Sequence, residues 1–119
     1  MNRNIMLYLK DITDNMEKAE IFVQDMTYDE FTNDEKTCYA VMRCIEIMGE
    51  AVKHIPMDIR QKYSQIPWRD MAGMRDKVIH FYFGVNFGKI WLVVKEDIPE
   101  LKPLINAVLS DLLDENNHS

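Results

Sequence analysis

The chain has 119 residues and a mass of 14.1 kDa, enough for one domain with its own core. Its composition, with 47% hydrophobic and 29% charged residues, four Gly and four Pro, excludes disordered, collagen-like and low-complexity chains, and the net charge of −6 argues against a generally cationic surface. No apolar run approaches the roughly 20 residues that span a bilayer and no signal-peptide pattern is present, so we expect a cytoplasmic protein with no membrane partner.

Two long helices are predicted in the first half of the chain. Apolar residues recur every three or four positions over residues 5–26, which is typical of a helix with one buried stripe. A polar stretch follows and ends in Asn33 and Asp34, either of which can cap the next helix. The same apolar spacing resumes over residues 38–55. Gly49 lies inside this second helix, where Gly is about 1 kcal/mol less favourable than Ala, and it indicates that another helix approaches closely.

Shorter helices are predicted in the second half. A helical piece over residues 58–66 ends at Pro67, and a helix over residues 68–83 follows, with a joint at Gly73. Gly84 is placed to end that helix.

The last part of the chain predicts two further helices. Asn86 can cap a helix over residues 87–98, and Pro99 can sit in the first turn of the final helix, as can Pro103. No stretch alternates with a period of two over the length of a strand. We therefore predict an all-α fold, an antiparallel helical bundle led by two long helices. It forms a single domain over residues 1–113, followed by a frayed tail over residues 114–119.

Basic residues are concentrated in one segment of this acidic chain. Residues 60–95 carry seven basic and two acidic side chains, whereas residues 1–59 carry six basic and twelve acidic ones. Because contacts to phosphate need Lys and Arg, the segment could form a local anion-binding site. The alternative is an ordinary solvated helix surface with a chance cluster of charge.

The reactive side chains of this segment lie on the helix predicted over residues 68–83. Arg75, His80 and Tyr82 form the pattern R-x4-H-x-Y. At 3.6 residues per turn, Arg75 and Tyr82 share a face, whereas His80 lies about 140° around the helix from Arg75. The two groups can meet if the long Arg side chain reaches round the helix. They can also meet in a two-fold dimer, which would double the positive charge in one cleft.

These residue types suit the cleavage of RNA. An Arg fork donates to two phosphate oxygens and stabilises the charge of a pentacoordinate transition state. A His can take the proton of a 2′-hydroxyl group or give one to the departing 5′-oxygen, without a metal ion. Tyr82 could bond to a phosphate or accept a modifying group. The pattern alone is weak, because a single His on a helix is more often structural and an Arg beside an Asp often forms an exposed ion pair.

The cysteines and histidines give no metal-binding pattern. Cys38 and Cys44 lie about 240° apart on a shared helix, too far round to bridge each other. The three histidines are scattered, and neither CxxC nor HExxH occurs. We therefore expect no metal site and no cofactor.

A longer set of residues resembles a known family. The segments 66–69 (IPWR), 73–75 (GMR) and 79–85 (IHFYFGV) are similar to the HepT-like toxin family of the HEPN superfamily, as is the segment 49–51 (GEA). The resemblance extends from about residue 5 to residue 105.

The resemblance implies a helical bundle that dimerises and acts as a metal-independent endoribonuclease. The family's R-x4-H pair falls on Arg75 and His80. Asp76 stands where the family often has Asn, and it adds a negative charge beside the phosphate. Tyr82 falls on the residue that a cognate minimal nucleotidyltransferase, the antitoxin, adenylylates in toxin–antitoxin members. The implied partners are a second copy of the chain, this antitoxin and RNA, with no DNA expected.

Two further predictions concern binding. Arg69 and Lys77, within the basic segment, are additional candidates for contact with RNA. A function of a different class also stays open: a non-enzymatic helical module that binds a nucleotide or a partner, and that presents Tyr82 to a nucleotidyltransferase or assists it.

Overall fold

Helices make up almost all of the regular structure in this chain. The computed structural model describes the backbone of residues 3–118 and the side chains of residues 4–115, and this part of the chain contains no strand. The elements in chain order are α1 (Arg3–Phe22), α2 (Tyr28–Thr32), α3 (Glu35–Lys53), α4 (Met57–Lys62), α5 (Trp68–Phe83), α6 (Phe87–Leu92), a π-helical segment (Val93–Asp97) and α7 (Ile98–His118).

The helices pack as a bundle with α3 at its centre. Helix α3 packs against α1 on one side and α5 on the other, and α7 packs against α1 and the π-helical segment. The stripe predicted over residues 5–26 forms the core face of α1 and continues just beyond its end, and five of its residues are essentially inaccessible to solvent: Leu9, Ile12, Met16 and Ala19 in α1, and Val23 after it. The all-α helical bundle is thus confirmed. It has four long helices instead of two, because α5 and α7 contain 16 and 21 residues.

The polar stretch between the first two predicted helices contains a short helix of its own. Helix α2 begins with a capping box in which the Glu30 amide donates to Thr27 Oγ1 at 3.1 Å and the Thr27 amide donates to Glu30 Oε1 at 2.9 Å. Its one buried side chain is Phe31. One buried apolar residue is too few to show a helical period, so the apolar pattern gave no sign of this element; the T-x-x-E spacing of the capping box was the local signal that could have found it.

Several predicted helix ends are confirmed. Asp34 is the N-cap of α3, and its carboxylate accepts a hydrogen bond from the Thr37 amide at 3.0 Å. Helix α5 covers residues 68–83 as predicted, with Gly84 as its C-cap. The joint at Gly73 is not observed, because α5 continues through that residue. At the end of α5, the residue with a left-handed backbone conformation is Val85, with φ of 55°, and not Gly84.

The last two predicted helices run into one another. Asn86 is the N-cap of α6 by position, without a side-chain hydrogen bond, and the helix passes through the π-helical segment into α7. Pro99 is the second residue of α7, and Pro103 lies inside that helix. The backbone beyond Asp114, where we expected a frayed tail, is helical as far as His118, and Ser119 lies outside the described residues. Over the described part of the chain, no helix is long and apolar enough to cross a membrane.

Candidate functional site

Helix α5 presents its polar residues around a narrow buried face. The buried side chains of α5 are Trp68, Met71, Met74 and Val78. Arg75 and Tyr82 both contact residues of α3, which places them together at one edge of the buried face. Arg75 and Tyr82 therefore lie on the same face of α5, as predicted, and this face is directed toward α3.

The backbone of α3 approaches α5 most closely at Gly49. A Cβ atom placed on Gly49 would lie 2.8 Å from Cβ of Arg75 and 3.2 Å from the carbonyl oxygen of Ala72. Gly49 is buried, so this space is filled by α5 itself. The close approach that Gly49 indicated in the sequence is confirmed, and the approaching residue is the candidate catalytic Arg75.

Two carboxylates neutralise the Arg75 guanidinium. Nε lies 2.7 Å from Oε1 of Glu50, and Nη1 donates to Oδ1 of Asp76 at 3.0 Å. The Glu50 contact is an ion pair without hydrogen-bond alignment, and the buried Nε has no hydrogen-bond acceptor among the described residues. About one third of the side chain is exposed, at 33%, so the guanidinium remains accessible from solvent.

His80 lies on a different side of α5. Its side chain is exposed, and its ring centroid is 6.4 Å from that of Phe81. The contacts of Arg75 within the described part of the chain do not include His80. Because α5 is one continuous helix, the separation of about 140° predicted from the helical pitch holds within one chain.

The Tyr82 hydroxyl is held at the start of α3. It donates a hydrogen bond to Oε1 of Glu35 at 3.0 Å. The Tyr82 ring stacks on Phe87 at a centroid distance of 5.6 Å and meets the edge of Tyr39 at 5.5 Å. Partial burial and the Glu35 carboxylate raise the pKa of the Tyr82 phenol above its ordinary value. Glu35, Lys36, Tyr39 and Tyr82 line a shallow cavity of about 380 Å³.

The two candidates for RNA contact lie apart from this edge. Arg69 is exposed near the start of α5. Lys77 is exposed on the other side of the helix, where it lines a groove of about 310 Å³ together with Asp97 and other residues of α5 and α7. Partial burial and neighbouring carboxylates raise the pKa of Asp97, against the opposing charge of Lys77. The structure does not bring Lys77 to the edge that carries Arg75.

Two residues of this region were not recognised in the sequence. Glu50 and Glu35 belong to α3, and each contacts a candidate residue of α5. Both lie within the range that resembles the family, Glu50 in the segment 49–51, and this resemblance was the available signal. No group of three or more His, Cys, Asp or Glu side chains that could hold a metal ion occurs in the part of the chain that the structure describes.

Comparisons with known proteins identify the family of this chain. The family model described as HepT-like, "Ribonuclease HepT-like", matches residues 12–108. This range covers most of the chain. The chain therefore belongs to the HepT-like ribonuclease family.

Individual relatives are similar over nearly the whole chain. A protein of Thermococcus cleftensis named "Probable ribonuclease HepT" is 49% identical over 102 residues, which is 86% of this chain and 93% of the relative. A Methanocaldococcus jannaschii protein named "Putative RNase" is 48% identical over 110 residues, covering 92% of this chain and 95% of the relative. A second protein of that organism with the same description is 44% identical over 117 residues, covering 98% and 97%. No solved structure matches the chain.

Proposed function

We propose that this protein is the toxin of a toxin–antitoxin pair, an endoribonuclease that cuts RNA without a metal ion. In this proposal Arg75 and His80 carry the reaction, and a nucleotidyltransferase antitoxin stops it by adenylylating Tyr82. The observation that carries the proposal is that a member of the HepT-like ribonuclease family has its R-x4-H pair on one helix with both polar groups accessible. A toxin that cuts cellular RNA would act in the cytoplasm.

Arg75 has the chemistry of a phosphate clamp. A guanidinium group offers fixed donors to two phosphate oxygens at once, and it keeps its charge at any physiological pH. Its base is fixed by the packing against Gly49 and by the Glu50 ion pair, while one third of the side chain stays exposed. An arginine held in this way stabilises the charge that develops on a pentacoordinate phosphorus.

His80 has the chemistry of the proton carrier. The side chain is exposed, and an imidazole can act as a general base that takes the proton of the 2′-hydroxyl or as a general acid that gives one to the departing 5′-oxygen. Attack of the 2′-oxygen on the adjacent phosphorus breaks the bond to the 5′-oxygen and leaves a 2′,3′-cyclic phosphate. Water is not needed for this step.

A two-fold dimer would complete the site. In one chain Arg75 and His80 lie on different sides of α5, and a second copy of the chain would bring one group of each kind together. Exposed apolar side chains that follow His80 closely in the sequence support such pairing. Phe83 and Val85 are each 74% exposed, and a second copy of the chain could cover them.

Modification of Tyr82 would block this site. Tyr82 is two residues from His80 on the same helix, at the edge that also carries Arg75. Addition of AMP to the hydroxyl places a phosphodiester charge and a nucleoside next to the groups that receive RNA. Like charge and bulk would then exclude the anionic substrate.

The ribonuclease proposal is tested by cleavage of RNA with the purified chain. We expect cleavage in the presence of EDTA, products with 2′,3′-cyclic phosphate ends, and a loss of at least about 100-fold in rate for His80→Ala. Circular dichroism of the variant establishes that it is folded. Cleavage that requires added Mg²⁺ and survives His80→Ala would reject the mechanism. Stoichiometric binding of a nucleotide or a nucleotidyltransferase, without any cleavage, would favour the non-enzymatic module instead.

A further inference from the structure

Tyr82 stands in a local arrangement of groups that the cleavage reaction does not use. Its hydroxyl proton points at a carboxylate oxygen of Glu35, 3.0 Å away. The Tyr39 and Phe87 rings hold the phenol ring from two sides, and Lys36 lines the same shallow cavity. A nucleophile, a proton acceptor and a cation are therefore present within one small surface region.

We propose that Glu35 is the general base for nucleotidyl transfer to Tyr82. This inference rests on the proposed adenylylation and assigns a residue to it. The phenol oxygen of Tyr82 attacks the α-phosphorus of a nucleoside triphosphate bound by the nucleotidyltransferase, and the bond from that phosphorus to the bridging oxygen breaks. Pyrophosphate leaves with the electron pair of that bond. The phenol proton passes to Glu35 and from there to solvent.

A base is needed because the phenol of Tyr82 is protonated at neutral pH. Its pKa is raised from the ordinary value for tyrosine by partial burial and by the Glu35 carboxylate. A neutral phenol is a weak nucleophile, and removal of its proton while the new P–O bond forms avoids a free phenolate. Carboxylates take the proton of a substrate hydroxyl in the same way in other phosphoryl-transfer enzymes.

The arrangement also explains selection between two neighbouring tyrosines. Tyr39 is more accessible than Tyr82, at 54% exposed, and it lines the same cavity. Within the described part of the chain, however, the Tyr39 hydroxyl has no carboxylate acceptor, whereas the Tyr82 hydroxyl has Glu35. Exposure alone would favour modification of Tyr39, whereas the presence of a base favours modification of Tyr82.

Lys36 supplies the charge that such a transfer requires. A carboxylate next to the acceptor oxygen repels the phosphates of an incoming nucleotide, and an adjacent ammonium group offsets this repulsion. Lys36 is exposed beside Glu35 in the first turn of α3. We expect Lys36→Met to raise the nucleotide concentration needed for half-maximal modification, with a smaller effect on the maximal rate.

The test is the rate of nucleotidyl transfer to the full chain. The chain is incubated with ATP, Mg²⁺ and a minimal nucleotidyltransferase of the antitoxin type, and modification is followed by intact mass. Glu35→Gln keeps a hydrogen-bond acceptor but cannot take a proton, so we expect a rate at least about 100-fold lower. The remaining rate should rise with pH, because hydroxide then supplies the missing base. Glu17→Gln, an exposed substitution on α1, is the matched control and should react like the unaltered chain.

The possible results separate the inference from the function on which it rests. Modification of the unaltered chain but not of Tyr82→Phe establishes the acceptor. If Glu35→Gln is then modified at the unaltered rate with an unaltered pH profile, the role of Glu35 is overturned and the proposed function stands. If the unaltered chain takes up no nucleotide, the proposed adenylylation fails, and the role of Glu35 fails with it.

Discussion

The placement of Arg75 depends on a residue that has no side chain. Gly49 lets the backbone of α3 come so close to α5 that even one methyl group at position 49 would overlap Cβ of Arg75. Cβ is the fixed root of the arginine side chain, so it cannot swing aside as the guanidinium can. The contact therefore fixes both the spacing of the two helices and the origin from which the candidate catalytic group extends.

This contact predicts opposite effects for two Gly→Ala substitutions. Gly73, in the middle of α5, has open space where a Cβ would go, so Gly73→Ala should raise the free energy of unfolding by about 0.5–1 kcal/mol through helix propensity. Gly49→Ala gains the same propensity but forces α3 and α5 apart. We expect it to lower the free energy of unfolding and to reduce RNA cleavage by about 100-fold, since a small misplacement of a catalytic group has effects of that size.

Urea denaturation and cleavage assays measure both quantities. Equal stabilisation by the two substitutions would show that the helices can separate freely, and it would contradict the proposed role of Gly49 in placing Arg75.

At the scale of the element, the end of α5 contains a strained residue. The helix closes with hydrogen bonds from the Val85 amide to the Tyr82 carbonyl at 3.0 Å and from the Asn86 amide to the Phe81 carbonyl at 2.7 Å. This ending places Val85 in the left-handed region, with φ of 55°, where a β-branched residue is unfavourable by about 1–2 kcal/mol. The Val85 side chain is exposed, so its burial does not compensate for this strain.

Comparison of two substitutions at this position isolates the backbone strain. Val85→Ala and Val85→Gly both remove the exposed apolar side chain, but only Gly adopts the left-handed conformation without strain. We expect Val85→Gly to be more stable than Val85→Ala by about 1 kcal/mol in urea denaturation at equal protein concentration. Equal stability of the two variants would mean that position 85 leaves the left-handed region in solution.

The elements also show what a sequence pattern can and cannot predict. The bounds of α5 follow from local signals, since Pro67 precedes its first residue and Gly84 follows its last. Helix α2 has one buried residue and thus no period to detect. The contacts of Glu35 with Tyr82 and of Glu50 with Arg75 join different helices. The apolar period of a helix predicts its buried face, but it does not predict which polar residues of a neighbouring helix will contact it.

At the scale of the whole molecule, the groups of the proposed site lie on two different sides of α5 in one chain. The residues of the R-x4-H pattern were identified from the sequence, and their angular separation followed from the helical pitch. In the proposed function, their convergence depends on the association of two chains. Arg75 of one chain and His80 of the other would then belong to the same site, and each dimer would contain two such sites.

Mixing two inactive variants tests this arrangement. Arg75→Ala and His80→Ala chains should each be inactive alone. If the sites are shared between chains, unfolding and refolding the two together forms mixed dimers with one intact site, and about a quarter of the unaltered activity should return. Recovery is measured as RNA cleavage in EDTA, and each variant refolded alone is the control. Absence of any recovery, with mixed dimers demonstrated by mass, would place both groups of a working site in a single chain.

The pairing of Arg75 with two carboxylates has a consequence for the selectivity of the free protein. The Arg75 guanidinium already has Glu50 and Asp76 as internal counter-ions. A small anion can bind to it only by displacing one of these carboxylates, so binding of small anions is weakened. Asp76 is the weaker competitor, since its side chain is 76% exposed and hydrated while Glu50 lies across the helix contact. A polyanion can stay bound to the protein through a second contact while it displaces the carboxylate. It should therefore bind more tightly than free phosphate or a single nucleotide, which make no second contact.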